Sequence, residues 1–142
     1  MKKSNTIERR ISARISRKKC TVLLREDFAD LANYGQVGRV LRRLVAKGVI
    51  MKIGYGLYAK AHVCRFSGEL VPDKCLPDLA REALHRLGIE TVLNSLEIAY
   101  NEGRTTSIST GRLIGVTKPV RRKIGYDGTY VSYERVSEYN SS

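Results

Sequence analysis

Residues 31–61 read LANYGQVGRVLRRLVAKGVIMKIGYGLYAKA, and this stretch decides the fold. From Gln36 to Lys47 the apolar residues Val37, Val40, Leu41, Leu44 and Val45 recur at three- and four-residue steps, which makes one face of an α-helix. Asn33-Tyr34-Gly35 supplies a turn before that helix, and Gly48 is suited to end it because glycine accepts the left-handed angles of a C-terminal cap. Val49 to Ile53 and Leu57 to Ala61 are short β-prone runs, and Gly54-Tyr55-Gly56 between them permits a tight reversal. A helix running straight into a glycine-tipped hairpin predicts a winged helix-turn-helix, with a recognition helix and then a wing.

The polar face of the predicted helix carries the chemistry. Gln36, Arg39, Arg43 and Lys47 fall together opposite the apolar stripe, with Gly38 and Arg42 on its flank. Arginine can grip guanine through two donors and glutamine can pair with adenine, while the same side chains also hold phosphates. The expected DNA contacts are therefore Gln36, Arg39, Arg42 and Arg43 in the major groove and Lys47 on phosphate. Lys52 and Tyr55 would brace the hairpin against sugar-phosphate, whereas Ile53 and Tyr58 read as core.

Upstream, Ile7, Ile11 and Ile15 lie four apart with Arg9, Arg10, Arg14 and Arg17 around the other side, as in a basic amphipathic helix over residues 6–17. That basic face is either solvated or in contact with phosphate, which makes Arg10, Arg14, Arg17 and Lys18 additional candidates. Cys20 to Leu24 is a short β-prone run. Residues 25–32 read as a brief helix whose Glu26 and Asp27 sit in its first turn, where the helix dipole favours carboxylates. They read as helix-end chemistry, not as catalytic acids.

The distribution of charge agrees with this assignment. The chain has 142 residues, 42% of them hydrophobic, which is enough to bury a core, and a formal net charge of +12. Up to residue 65 there are 16 Lys and Arg against 4 Asp and Glu, whereas the remainder holds 10 of each, so the whole excess lies in the first part. Clustered cations attract polyphosphates through charge and counterion release. The asymmetry predicts a nucleic-acid module, here the winged-helix DNA-binding domain over 1–65, followed over 66–142 by a region with a different task, such as dimerisation or partner contact.

In that second region, Gly68, Pro72 and Pro77 mark residues 62–77 as a linker. Leu79, Ala80, Ala83, Leu84 and Leu87 predict a helix over 78–87, and a second over 92–102 would turn Leu93, Leu96, Ala99 and Tyr100 inward. Strands are expected at 105–109, 112–117, 120–126 and 129–136, with Asp127-Gly128 as a two-residue hairpin turn pairing Tyr126 with Thr129 and Ile124 with Val131. Arg121, Arg122 and Lys123, with Lys118, form a basic cluster that either contacts nucleic acid or guards an edge strand by charge. The fold class expected is α+β: a winged helix-turn-helix, a helical pair and a small antiparallel β-rich region.

Three segments together carry a family resemblance: Asp27 to Leu31, Gln36 to Leu44 and Ile53 to Ala59. They resemble the amino-terminal winged helix of AbiEi-type antitoxins of type IV toxin-antitoxin systems, and of short relatives that share the wing. The resemblance spans about the first 65 residues. It implies a bacterial or phage DNA-binding protein that represses its own operon and opposes a nucleotidyltransferase-like toxin. The part that follows is shorter than the antitoxin domain of the larger family members.

Other chemistries find little support. His62, Cys64 and Cys75 lack a CxxC pair and a fourth ligand, so no metal or other cofactor is expected. His85 has no nucleophile in register, and residues 111–118 miss the spacing of a phosphate-binding loop, so no enzyme is expected. The absence of an apolar run of about 18 residues and of an apolar signal-peptide region argues against a membrane partner. Three unpaired cysteines suit a reducing cytoplasm. Double-stranded operator DNA is the expected partner, read by a homodimer because repressor half-sites are commonly read by symmetric dimers. An RNA-binding module, or an antitoxin acting by direct contact with a toxin, are the competing readings.

Overall fold

A computed structural model describes residues 3–106 and 112–136. The chain is α+β and divides into two units, Met1–Lys74 and Cys75–Ser142.

The first unit contains α1 (Lys3–Arg17), β1 (Val22–Leu24), a 3-10 turn (Arg25–Phe28), α2 (Tyr34–Ala46), β2 (Ile50–Gly54), β3 (Leu57–Val63) and β4 (Leu70–Pro72). The apolar stripes read from sequence make its core: Ile11 and Ile15 of α1, Val37, Val40, Leu41 and Leu44 of α2, with Leu23, Phe28, Ile50 and Tyr58. The sheet is antiparallel in the order β1-β3-β2, with Leu23 opposite Tyr58 and Met51 opposite Ala59. Helix α2 begins at Tyr34, earlier than the expected Gln36, because Asn33 caps it. Its Oδ1 accepts from the Gln36 N–H at 2.8 Å, and Gln36 Oε1 accepts from the Asn33 N–H at 3.3 Å. Gly48 closes the helix at φ 77, its N–H donating to Val45 O.

Residues 62–77 are not a linker. β3 runs on to Val63 and pairs with β4, Ala61 lying opposite Pro72 and Val63 opposite Leu70. The turn between them is closed by Gly68 N–H to Cys64 O at 2.9 Å and Cys64 N–H to Glu69 O at 2.8 Å, with Gly68 at φ 75. Pro72 is tolerated because it ends an edge strand, and Pro77 because it stands in the first turn of the next helix, where no N–H is needed.

The second unit contains α3 (Leu76–Arg86), β5 (Thr91–Val92), α4 (Ser95–Asn101), β6 (Leu113–Val116), β7 (Gly125–Tyr126), β8 (Thr129–Tyr130) and β9 (Ser132–Arg135). Asp127 and Gly128 turn with φ 52 and 76 and pair Tyr126 with Thr129, as the Asp-Gly signature predicts. The Val131 N–H donates to Ile124 O at 3.0 Å, continuing the hairpin by one bond. The chain then leaves the hairpin, and β9 pairs with β6 in parallel, Ile114 opposite Tyr133, which departs from the antiparallel region expected. The expected strand over 120–126 shrinks to β7, and that over 129–136 is broken at Val131. The strand expected at 105–109 falls largely outside the described residues.

Helix α4 also departs from expectation, for none of its side chains is buried and Leu93 and Tyr100 are nearly half exposed. A polar anchor holds it in place of an apolar stripe. Asn94 is fully buried, its Oδ1 accepting from Glu97 N–H and its Nδ2 donating to Leu113 O at 2.7 Å. Nearby, a Cβ on Gly115 would lie 2.5 Å from Val92 O and 2.7 Å from Leu93 O, so β5 approaches β6 as closely as it does because residue 115 has no side chain. Gly115→Ala is expected to cost about 1–3 kcal/mol, since backbone must move to admit the methyl. Urea unfolding would register this as a lower midpoint, and an unchanged midpoint would refute it. Among the described residues, no helix is long and apolar enough to cross a membrane.

Candidate nucleic-acid interface

The buried stripe of α2 leaves Gly35, Arg39, Arg42 and Ala46 outward, at the four-, three- and four-residue spacing of one helical face. Both arginines are exposed, and among the described residues neither has a carboxylate partner. Gly35 and Ala46 keep the two ends of this face low, so the guanidiniums are its most prominent groups. Lys52 is exposed on β2, likewise with no carboxylate partner among the described residues.

The other expected residues of α2 are engaged within the protein. Arg43 Nε lies 3.1 Å from Glu8 Oε1, and Lys47 Nζ lies 2.5 Å from Glu8 Oε2. One carboxylate on α1 thus pairs with two cations on α2, and Lys47, then Arg43, hold Glu8 below its ordinary range by hydrogen bonding. Gln36 is half-buried, and its Oε1 closes the helix cap. Bidentate pairing with adenine needs that oxygen and the amide nitrogen together, and here the oxygen also serves the cap.

Helix α1 divides in the same way. Arg10 and Arg17 are exposed, whereas Arg14 and Lys18 turn to the 3-10 segment. The two terminal nitrogens of Arg14 meet both oxygens of Asp30 at 2.6 and 3.0 Å, and one of them also donates to Asp27 O at 3.0 Å. Lys18 lies 3.8 Å from Asp27 Oδ2. These are joints between elements, so Arg14 and Lys18 are not open phosphate ligands as expected. Arg121, Arg122 and Lys123 are exposed in an irregular segment of the second unit, not on a strand, which removes their edge-guarding role. There Lys123 Nζ stands 4.8 Å from the Tyr130 ring centre, and the Arg122 carbonyl accepts from Tyr133 Oη at 2.8 Å.

Sequence reasoning missed a second cluster at the start of α2. The Arg25 guanidinium lies 3.5 Å from the Tyr34 ring centre, while its Nε and Nη2 donate to Tyr34 O at 3.2 and 2.7 Å. Tyr34 shares a side-chain hydrogen bond with Tyr55 at the tip of the β2–β3 hairpin, and this, ahead of partial burial, pushes the Tyr34 phenol above its ordinary range. The tip is also fastened by the Arg25 N–H, which donates to Gly56 O at 3.2 Å. Gly38 makes room for this arrangement, because a Cβ there would overlap Arg25 Nη2. A glycine in the middle of a helical pattern was the available signal, since it costs helix stability relative to alanine.

His62 Nδ1 lies 2.7 Å from Asp73 Oδ1 near the β3–β4 turn, and among the described residues no group of three or more His, Cys, Asp or Glu is placed to hold a metal ion. The first unit as the structure divides it has 17 Lys and Arg against 6 Asp and Glu, a net +11, and the second has 9 against 8, a net +1. The family described as "Family of unknown function (DUF6088)" matches residues 7–92, from within α1 to the end of β5, and so takes in Arg25, Tyr34, Arg39, Arg42 and Tyr55. No curated protein and no solved structure matches the chain.

Proposed function

We propose that this chain, which belongs to the DUF6088 family, binds duplex DNA sequence-specifically through a winged helix-turn-helix and acts as a transcriptional repressor. The observation that carries the proposal is the open pair Arg39 and Arg42 on the outward face of α2, immediately ahead of a hairpin bearing Lys52 and Tyr55. The element order of the first unit, with a 3-10 turn ahead of α2, and its β1-β3-β2 sheet support a winged-helix reading, and its net charge suits a phosphate-rich partner.

In this reading α2 enters the major groove, Arg39 and Arg42 reach base edges or phosphates, Lys52 holds the backbone at the flank, and Arg10 and Arg17 add outlying phosphate contacts. Arg43, Lys47 and Gln36 keep α2 in place for that contact. The resemblance to AbiEi-type antitoxins extends the proposal to an antitoxin-like, autoregulated operon with a toxin as partner, read by a homodimer. Autoregulation makes the DNA upstream of the protein's own coding region the first duplex to try.

Fluorescence anisotropy with that upstream duplex and a scrambled duplex of equal length tests the proposal. The upstream duplex is expected to bind more tightly. Arg39→Ala and Arg42→Ala are each expected to weaken binding at least about fivefold, as loss of a base or phosphate contact does, while circular dichroism stays that of the parent. Equal affinity for the two duplexes would sink the sequence-specific reading, and indifference to both substitutions would sink the assigned face.

A further inference from the structure

The tip of the β2–β3 hairpin reads Gly54-Tyr55-Gly56 and carries no cation. A phosphate would find little there to grip. It offers instead two exposed rings, Tyr55 at 77% and Tyr34 at 62% exposure, tied to one another and backed by the Arg25 guanidinium 3.5 Å from the Tyr34 ring centre. The rings are fixed in advance of any encounter. Tyr34 is held by two donors on its carbonyl and by the stacked guanidinium, and the tip is fastened through Gly56 O. The helix gives up a side chain at Gly38 to admit this guanidinium. Large exposed aromatics held so firmly within a single chain mark a contact surface, because ordering them ahead of binding removes a cost otherwise met on association.

From this we propose that Tyr34 and Tyr55, set by Arg25, form a preorganised aromatic ledge that packs on the uncharged deoxyribose and base-edge surface of the groove wall beside α2. The inference rests on the DNA-binding reading above. Proximity to the open end of α2 selects the occupant: the ledge begins at the first residue of α2, five residues before Arg39, so a duplex lying along that helix presents its groove wall to the two rings. The guanidinium behind Tyr34 is engaged by the Tyr34 carbonyl and ring and acts as a support. The ledge therefore contributes affinity without displacing counterions, unlike Lys52 on the same hairpin.

Salt dependence separates the two kinds of contact. Affinity of the full chain for its upstream duplex would be measured by anisotropy from low to high salt for the parent, Tyr55→Ala, Tyr55→Phe, Tyr34→Ala and Lys52→Ala. Tyr55→Ala and Tyr34→Ala are each expected to weaken binding about tenfold at every salt concentration, a loss within the range seen for aromatic contacts to nucleic acid, with the slope of log affinity against log salt unchanged. Tyr55→Phe keeps the ring and is expected to hold affinity within about twofold. Lys52→Ala is expected to reduce the slope by about 0.9, as loss of one phosphate contact does. Parent-like affinity for both alanine variants, or a loss that comes with a shallower slope, overturns the ledge and leaves the DNA-binding reading standing. A parent that binds no duplex overturns both. Thermal unfolding of each variant guards the comparison, and Tyr55→Phe failing as badly as Tyr55→Ala would show that the hydroxyl bond, and not the ring face, is what matters.

Discussion

Phe28→Ala is expected to unfold a large fraction of the first unit at room temperature. Phe28 ends the 3-10 turn, is fully buried, and belongs to the core cluster shared by α1, α2 and the sheet. Truncating a buried phenylalanine to alanine costs about 3–5 kcal/mol, through lost transfer energy and the cavity left behind. Small domains have only about 5–15 kcal/mol in all, and a unit of this size stands near the lower end. The consequence reaches the proposed DNA contact, because the segment beside Phe28 supplies Arg25 to the aromatic ledge and Asp30 to Arg14. Chemical denaturation followed by circular dichroism should give a sharply lower midpoint, and Phe28→Leu, which keeps most of the volume, should lose much less. A parent-like midpoint for Phe28→Ala would contradict the core as described.

Glu8→Gln is expected to raise affinity for unrelated duplex DNA and to steepen its salt dependence. In the parent, Glu8 neutralises Arg43 and Lys47 on the side of α2 next to the open arginines. Removing its charge leaves two cations beside a helix proposed to lie in the groove. Two further phosphate contacts add about 1.8 to the magnitude of the salt slope, which is roughly a tenfold greater fall in affinity between 50 and 200 mM salt. Because the added attraction ignores sequence, the ratio of upstream to scrambled affinity should shrink. An unchanged slope would show that the freed side chains do not reach the DNA. The same pairs fix the acid limb of stability. Glu8 is held low by Lys47 and Arg43, and Asp30 by Arg14, so their contribution is complete above the ordinary carboxylate range and is lost as pH falls through the lowered values.

Much of this was legible in the sequence, and the exceptions have physical causes. The stripe Val37 to Leu44, the stop at Gly48 and the Asp127-Gly128 turn follow from spacing and from the few residues that accept left-handed angles. The roles of Arg43 and Lys47 did not follow, because their partner Glu8 stands 35 and 39 residues away and a helical wheel shows which face a cation occupies, not what faces it. Gln36 was legible in principle, since Asn33 and Gln36 stand at capping-box spacing. Pro72 concealed β4 because proline argues against a strand interior and says less about a strand's end. Nothing local distinguishes the parallel partner of β6, which is fixed by how the chain leaves β8.

The shared strand β3 also decides where the first unit can be cut. Its first half lies between β1 and β2, and its last three residues, Ala61 to Val63, pair with β4. A fragment ending at residue 65, where the excess charge stops, would strip β4 away and leave the edge of β3 that it covers open, beside an exposed Val63. Such an edge invites another chain to add a strand. A fragment ending at Lys74 keeps the edge covered, so the electrostatic boundary and the boundary of safe excision are nine residues apart.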